Sequence, residues 1–297
     1  MSSMNIKKET VFRRKWNRED ILCIGMRLVL ILTAVIYIYP VIFAAFTSLK
    51  TLPEFYADIW AWPKQFLYKN YIEAFFTGKV GEYFFNSVLI TVLSIAFIQL
   101  FSTMAAYALT RLKIPGTNWI LLLLFALQIL PTETIIIPLY VEMMKLGFMR
   151  LPFVPMILAY VGWSIPGSTV ILKNFFHTVP NELLEAARID GCGEIRSLFA
   201  ITLPLMKSAI CTVATMNLNF VWGELMWAQI STLLTDKGLP LTVGLLNFKG
   251  QISTNWPQLC AAIIIVIAPL YLLFLFTQKY FIAGLTAGGV KGWCLWW

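Results

Sequence analysis

Charge is scarce in this sequence. Only 13% of its 297 residues are Asp, Glu, Lys or Arg, against about 25% in a soluble domain, while 59% are hydrophobic against the usual ~45–50%. No soluble core of this size hides that much apolar surface, and with a mean hydropathy of +0.75 the solvent for most of the chain is lipid. Histidine is scarcer still. His177 is the only one, with no cysteine beside it, which leaves no metal-ligand set and no histidine-based catalytic constellation. The cysteines Cys23, Cys192, Cys211, Cys260 and Cys294 are widely spaced, form no Cys-x-x-Cys pair, and read as small apolar fillers. A Gly-x-x-x-x-Gly-Lys-Ser/Thr phosphate loop is absent, so the chain has no nucleotide site of that kind. No fixed-period repeat and no pair of self-similar halves is visible, which argues against a secondary transporter built from repeats.

What is present is a series of apolar runs. A helix needs about 20 mostly apolar residues to cross a bilayer core about 30 Å thick. Six segments qualify: Leu28 to Phe46, Phe85 to Leu109, Trp119 to Tyr140, Phe153 to Phe175, Ala209 to Ile230 and Leu259 to Phe276. The expected fold class is therefore all-α and integral to the membrane, with six transmembrane helices. Pro40, Pro131, Pro138, Pro166 and Pro269 fall inside these runs, as membrane helices tolerate when neighbours satisfy the freed carbonyls.

The net charge of +8 comes from basic residues scattered through loops, with one dense block, Lys7, Lys8, Arg13, Arg14, Lys15 and Arg18, ahead of the first run. That pattern fits a membrane surface and no nucleic-acid partner. It places the amino terminus, and after six crossings the carboxyl terminus, in the cytoplasm. A cleaved signal peptide is the alternative for the first run, but the run exceeds the usual core of about 7–15 residues, so an uncleaved span is expected.

Between the fourth and fifth runs lies a polar segment, residues 177–207. Pro180 suits a first helical turn, Glu182 and Glu185 complement the positive end of the helix dipole, and Gly191 can adopt a left-handed stop. A second helix is expected from Glu194 to Ile201, ending ahead of Pro204, which can open the fifth span. Leu183, Leu184 and Ala187 are spaced to share a face of the first helix. From these residues alone two readings are open: a helix that docks in a groove on a partner, or one that lies on lipid.

The segment resembles the cytoplasmic loop of binding-protein-dependent importer permeases, whose pattern is Glu-Ala-Ala, three residues, Gly, nine residues, Ile-x-Leu-Pro. Here stand Glu185-Ala186-Ala187, Gly191, Ile201, Leu203 and Pro204, every spacing intact. Seven fixed positions make a chance match on the order of 10⁻⁸. The likeness runs through Asn86-Ser87, Pro131-Thr132-Glu133 with Pro138-Leu139-Tyr140, Pro240-Leu241 with Gly244-Leu245, and Gln278-Lys279-Tyr280-Phe281 with Gly284 to Gly288 and Val290-Lys291-Gly292. It is greatest to the maltose-permease (MalG) type, with Trp293 to Trp297 as an extension. Two departures stand out: Gly223 follows Trp222 where the family usually has Asn before an acidic residue, and Cys192-Gly193 replaces a commoner small pair.

The resemblance implies a type I ABC importer permease fold. Its parts would be a cytoplasmic tail (1–20), a first helix and external loop (21–81), a core of spans two to six (82–277) carrying the coupling loop, and a second tail (278–297). It implies that Glu185, Ala186, Ala187, Asp190, Gly191, Ile201, Leu203 and Pro204 couple the chain to a cytoplasmic ATPase. This chain would bind no cofactor and do no bond chemistry, ATP and Mg sitting on two ATPase copies. The further partners implied are a second permease in a heterodimer and an extracytoplasmic solute-binding protein, all at the bacterial inner membrane. The implied cargo is a sugar, oligosaccharide or glycoside. A polyol, an amino acid or another solute is the alternative cargo, and a secondary carrier the alternative class.

Gln128, Glu133, Asn217, Asn219, Trp222 and Glu224 fall in or near the spans. They line a solute path, with Trp222 and Trp227 as stacking platforms, or they bond between helices; a carboxylate among them should face protein or water. The aromatics of the first external loop, Phe55, Tyr56, Trp60, Trp62, Phe66, Tyr68, Tyr71, Phe75 and Phe76, form an interfacial belt or part of a docking surface.

Overall fold

The computed structural model describes residues 18–112, 114–235, 237–248 and 254–288, with side chains described between 22 and 278. The basic block from Lys7 to Lys15 and the ending from Trp293 to Trp297 lie outside them. Every regular element among the described residues is helical. Four helices are long and apolar enough to cross a membrane: α1 (Arg18–Thr47), α4 (Val80–Arg111), α7 (Val154–Phe176) and α14 (Trp256–Gly288). Between α1 and α4 lie the short α2 (Leu52–Ala57) and α3 (Lys69–Phe76).

The third and fifth spans are not the continuous rods that hydropathy suggests. The third is α5 (Thr117–Ile129) followed by α6 (Thr132–Lys145), bent by 98°. The residue before a proline is biased away from helical geometry, and Leu130, ahead of Pro131, adopts ψ 120, with Pro131 itself extended. Proline breaks this span outright, where the sequence suggests only a kink. The fifth is α11 (Lys207–Gly223), which the helical segment Glu194–Leu205 of the polar segment meets at a bend of 85° at Met206. It stops at Gly223, short of the expected Ile230, and the chain resumes as α12 (Met226–Ser231) and α13 (Leu241–Gly244).

α4 and α7 form the most extensive helix pair. Both helices bury many small residues: Ser87, Thr91, Ser94, Ser102, Thr103 and Ala106 on α4, and Ala159, Ser164, Ser168 and Thr169 on α7. With lipid outside there is no hydrophobic drive between helices, and close approach through small side chains supplies dispersion contact instead. Three apolar clusters sit along this axis. One lies at the hairpin end (Tyr107, Leu172, Phe176, Leu198, Met206), one midway around Tyr160 and Trp227, and one at the opposite end around Trp222 and Ala261. α1 is different: from Leu22 to Ile42 every described side chain is exposed, and only its last turns pack, against α14.

Motif fragments far apart in sequence meet at the end opposite the hairpin. Asn86 Nδ2 donates to Leu239 O at 2.9 Å, and the buried Leu241 N–H donates to Ser87 Oγ at 2.8 Å, which pins the Pro240 turn to the start of α4.

Candidate functional site

The polar segment folds as a helical hairpin at the end of the α4–α7 pair. Its first arm is α8 (Asn181–Ile189), with Pro180 as the extended residue before the helix and not within its first turn. α8 closes on Gly191, whose φ of +80 a side chain would strain. Cys192 N–H reaches back to Ala187 O at 2.9 Å and Gly191 N–H to Arg188 O at 3.0 Å, the paired bonds of a Schellman stop.

The second arm begins as α9 (Glu194–Arg196), passes through a π-helical stretch (Ser197–Thr202), and continues as α10 (Leu203–Leu205). The expected end before Pro204 is therefore wrong. Proline offers no N–H, and the wider turn accommodates it: Leu203 N–H bonds to Leu198 O, and Thr202 Oγ1 donates to Ser197 O at 3.0 Å. The bend falls two residues later, at Met206.

The faces of α8 differ from the expectation as well. Leu184 and Ala187 are buried against the chain itself, while Leu183 is exposed. Glu185, Ala186, Ile189 and Asp190 project outward, Ile189 at 87% exposure, and Ile195 and Phe199 are exposed on the second arm. Of the motif's later residues, Ile201 and Leu203 are half-buried and Pro204 is exposed, so they shape the return to α11.

Residues not singled out in the sequence hold the hairpin in place. Tyr107 hydroxyl donates to Glu194 Oε2 at 2.5 Å, and Arg188 Nε donates to Glu194 Oε1 at 3.0 Å. Arg111 donates to Phe176 O and Val179 O, each at 2.5 Å, and to Asn181 Oδ1. The hydrogen bond from Tyr107, and then that from Arg188, hold the Glu194 carboxyl below its ordinary value. The available sequence signal is a Tyr and an Arg one turn apart at the end of an apolar run, which reads as no more than a charged flank.

The residues expected along a solute path do not form one group. Gln128 and Asn217 line the same cavity of about 430 Å³ between α5, α6, α7 and α11, with Thr132, Ser168, Trp163 and Phe220. Asn217 is fixed by bonds to Ser168 Oγ and Val213 O, both 2.9 Å. Glu133 and Asn219 are exposed on the chain's own surface. Glu224 accepts Trp227 N–H at 2.9 Å, Ala228 N–H at 3.0 Å and Tyr160 hydroxyl at 2.8 Å, so it caps α12 and binds α7. Trp222 and Trp227 offer no open ring face: both are buried, their indole N–H groups donated to Val266 O and Pro155 O. Trp163, which nothing in the sequence sets apart, is the tryptophan that lines the cavity.

With this geometry in view, the comparisons are specific. Residues 99–286 match the family described as binding-protein-dependent transport system inner membrane component. The chain is 34% identical over 256 residues to the sulfoquinovosyl glycerol transport system permease protein SmoH of Agrobacterium fabrum, covering 86% of this chain and 89% of that one. It is 32% identical over 272 residues to the melibiose/raffinose/stachyose import permease protein MelC of Bacillus subtilis, covering 90% and 98% respectively. In fold it is similar to a chain of a bacterial ABC transporter involved in the import of the acidic polysaccharide alginate, with a TM-score of 0.78, 20% identity, and coverage of 90% of this chain and 99% of that one.

Proposed function

The chain belongs to the family of binding-protein-dependent transport system inner membrane components, and from that premise we propose that its hairpin is the contact through which a separate ATPase drives import of a sugar, oligosaccharide or glycoside. It is a permease subunit of an ABC importer, a multi-pass membrane protein and not an enzyme. The observation that carries the coupling reading is the outward face of α8: Glu185, Ala186, Ile189 and Asp190 stand free beyond the helix bundle, on a helix closed by a stop that fixes its direction. Small Ala186 allows a partner groove to approach, Ile189 supplies apolar burial, and the two carboxylates suit a basic rim.

Counting the bent α5–α6 pair as one crossing, as the hydropathy of the run supports, gives four between the basic tail and the hairpin, the others being α1, α4 and α7. An even number returns the hairpin to the tail's side, which the density of Lys and Arg assigns to the cytoplasm. ATP and Mg belong to two ATPase copies there. A second permease would complete the translocation path, and an external binding protein would deliver the solute. Alternating between inward- and outward-facing states requires only that nucleotide favour one of them.

Gln128 and Asn217 are the proposed path residues of this subunit. Among the described residues, the side chains lining their cavity include amides, hydroxyls and the rings of Trp163 and Phe220 but no ionisable group. Such a wall suits a neutral, hydroxyl-rich cargo, which hydrogen-bonds in both senses and stacks its apolar sugar face on aromatic rings. The names of SmoH and MelC support a carbohydrate in preference to a polyol or amino acid.

Uptake in proteoliposomes holding this chain, its partner permease, the ATPase and the binding protein tests the coupling. Gly191→Pro and Glu185→Lys are expected to insert normally and to abolish ATP-dependent uptake. Parental uptake by both variants would end the coupling reading.

A further inference from the structure

The hairpin is covalently joined to α7 and α11 but not to α4, although α4 forms the most extensive helix pair in the chain. Side chains make the missing connection: Leu198 and Met206 of the second arm share an apolar cluster with Ala106 and Tyr107 of α4, Arg111 reaches Asn181, and a polar junction forms at Glu194. Glu194, at the start of α9, accepts both Arg188 Nε at 3.0 Å and Arg188 Nη2 at 2.9 Å from α8 on one carboxylate oxygen, and Tyr107 hydroxyl at 2.5 Å from α4 on the other. Tyr107 is buried, and its ring meets that of Phe176, in the last turn of α7, edge-on with centroids 5.8 Å apart. One turn further along α4 on the same face, Arg111 binds the carbonyls of Phe176 and Val179 and the side chain of Asn181 at the start of α8. Both arms of the hairpin, α4 and the end of α7 are thus tied together there.

The geometry points to Glu194 as a positioning residue for energy coupling: it locks the hairpin to α4, so that a displacement of α8 by the ATPase moves α4 and α7 as one body. This rests on the coupling reading above. α8 itself buries only Leu184 and Ala187, so the polar ties add direction to the apolar contact that Leu198 and Met206 of the second arm make with α4 and α7. A carboxylate that accepts from three directed donors resists rotation of one arm against the other. Of Glu194's ties, the ion pair to Arg188 is about half exposed, screened by water and internal to the hairpin, so the short bond from buried Tyr107 is the one through which Glu194 reaches α4.

The test uses the complete transporter in proteoliposomes and reads three quantities: ATPase copies retained on purification, the rate of ATP hydrolysis, and solute moved per ATP. Tyr107→Phe removes a single hydroxyl and keeps the ring on Phe176; Glu194→Gln keeps the shape and removes the charge. Both are expected to retain the ATPase and hydrolyse ATP, while solute moved per ATP falls about fivefold or more. The double variant should be no worse than the poorer single one, because the two side chains act through one bond. An unchanged ratio in both single variants, or a loss that comes wholly from failed assembly, overturns the assignment. Failure of the coupling reading looks different: Gly191→Pro and Glu185→Lys would then transport normally, whatever the Glu194 variants do.

Discussion

Ser87 Oγ accepts the backbone N–H of Leu241 at 2.8 Å across 154 residues of sequence. Beside it Asn86 holds Leu239 O, so two adjacent side chains at the start of α4 fix the connection that follows α12. Ser87→Ala leaves a buried N–H without an acceptor and is expected to lower stability by about 1–3 kcal/mol. Thermal unfolding of the detergent-solubilised chain measures this; Ser87→Thr, which keeps the hydroxyl, should recover part of it.

Glu224 separates two roles cleanly. As the cap of α12 and the acceptor for Tyr160, its replacement by Gln should cost about 1–2 kcal/mol of stability and leave the KM for solute unchanged. A raised KM at unchanged stability would instead place this carboxylate on the solute path.

Gly191→Ala introduces a side chain at φ +80, where nothing lies within 4 Å of the new Cβ, so the cost is backbone strain alone, about 1 kcal/mol. Gly191→Asn, which tolerates that region better, should retain more ATPase on purification than Gly191→Ala, and Gly191→Pro should retain none.

The Glu194 carboxyl is held below its ordinary value, chiefly by Tyr107, so the fold favours its ionised form. The stability it contributes is fully present above the ordinary glutamate value of about 4.3 and is lost as pH falls through the lowered value in the folded chain. The difference in unfolding temperature between the parental chain and Glu194→Gln should therefore stay constant from neutral pH down to that range and close only below it.

Gly167 lies beside Gln128, where an added Cβ would stand 3.4 Å from Oε1, so a larger residue there fills the cavity. Gly167→Leu should reduce uptake while the ATPase stays bound and active, whereas Ser164→Ala should change little. Equal uptake by both variants would separate the cavity from the solute path.

Hydropathy makes the spans legible because length and apolarity are local properties. The hairpin is legible for the opposite reason, as a polar gap with fixed spacing from Glu185 to Pro204. Hidden are the consequences of long-range partners. Proline at 131 announces a disturbance, yet whether α5 and α6 kink or part depends on what fills the bend. Glu224, Trp222 and Trp227 look like path residues in sequence because a polar or aromatic side chain in an apolar run carries no mark of its partner. Their hydrogen bonds to Tyr160, Val266 and Pro155 exist only once the helices pack. Tyr107 and Glu194 escape notice on the same ground, being 87 residues apart.

The parting of α5 from α6 at Leu130 and Pro131 exposes raw peptide ends in an otherwise oily chain: carbonyls at the close of one segment and N–H groups at the opening of the next. In hydrocarbon each such group left dry would cost several kcal/mol. The 430 Å³ cavity that borders the break is lined by Leu130 and Thr132, and water entering it would have such groups to bind. On the proposed path, a solute in this cavity would exchange water for polar partners without meeting bare lipid.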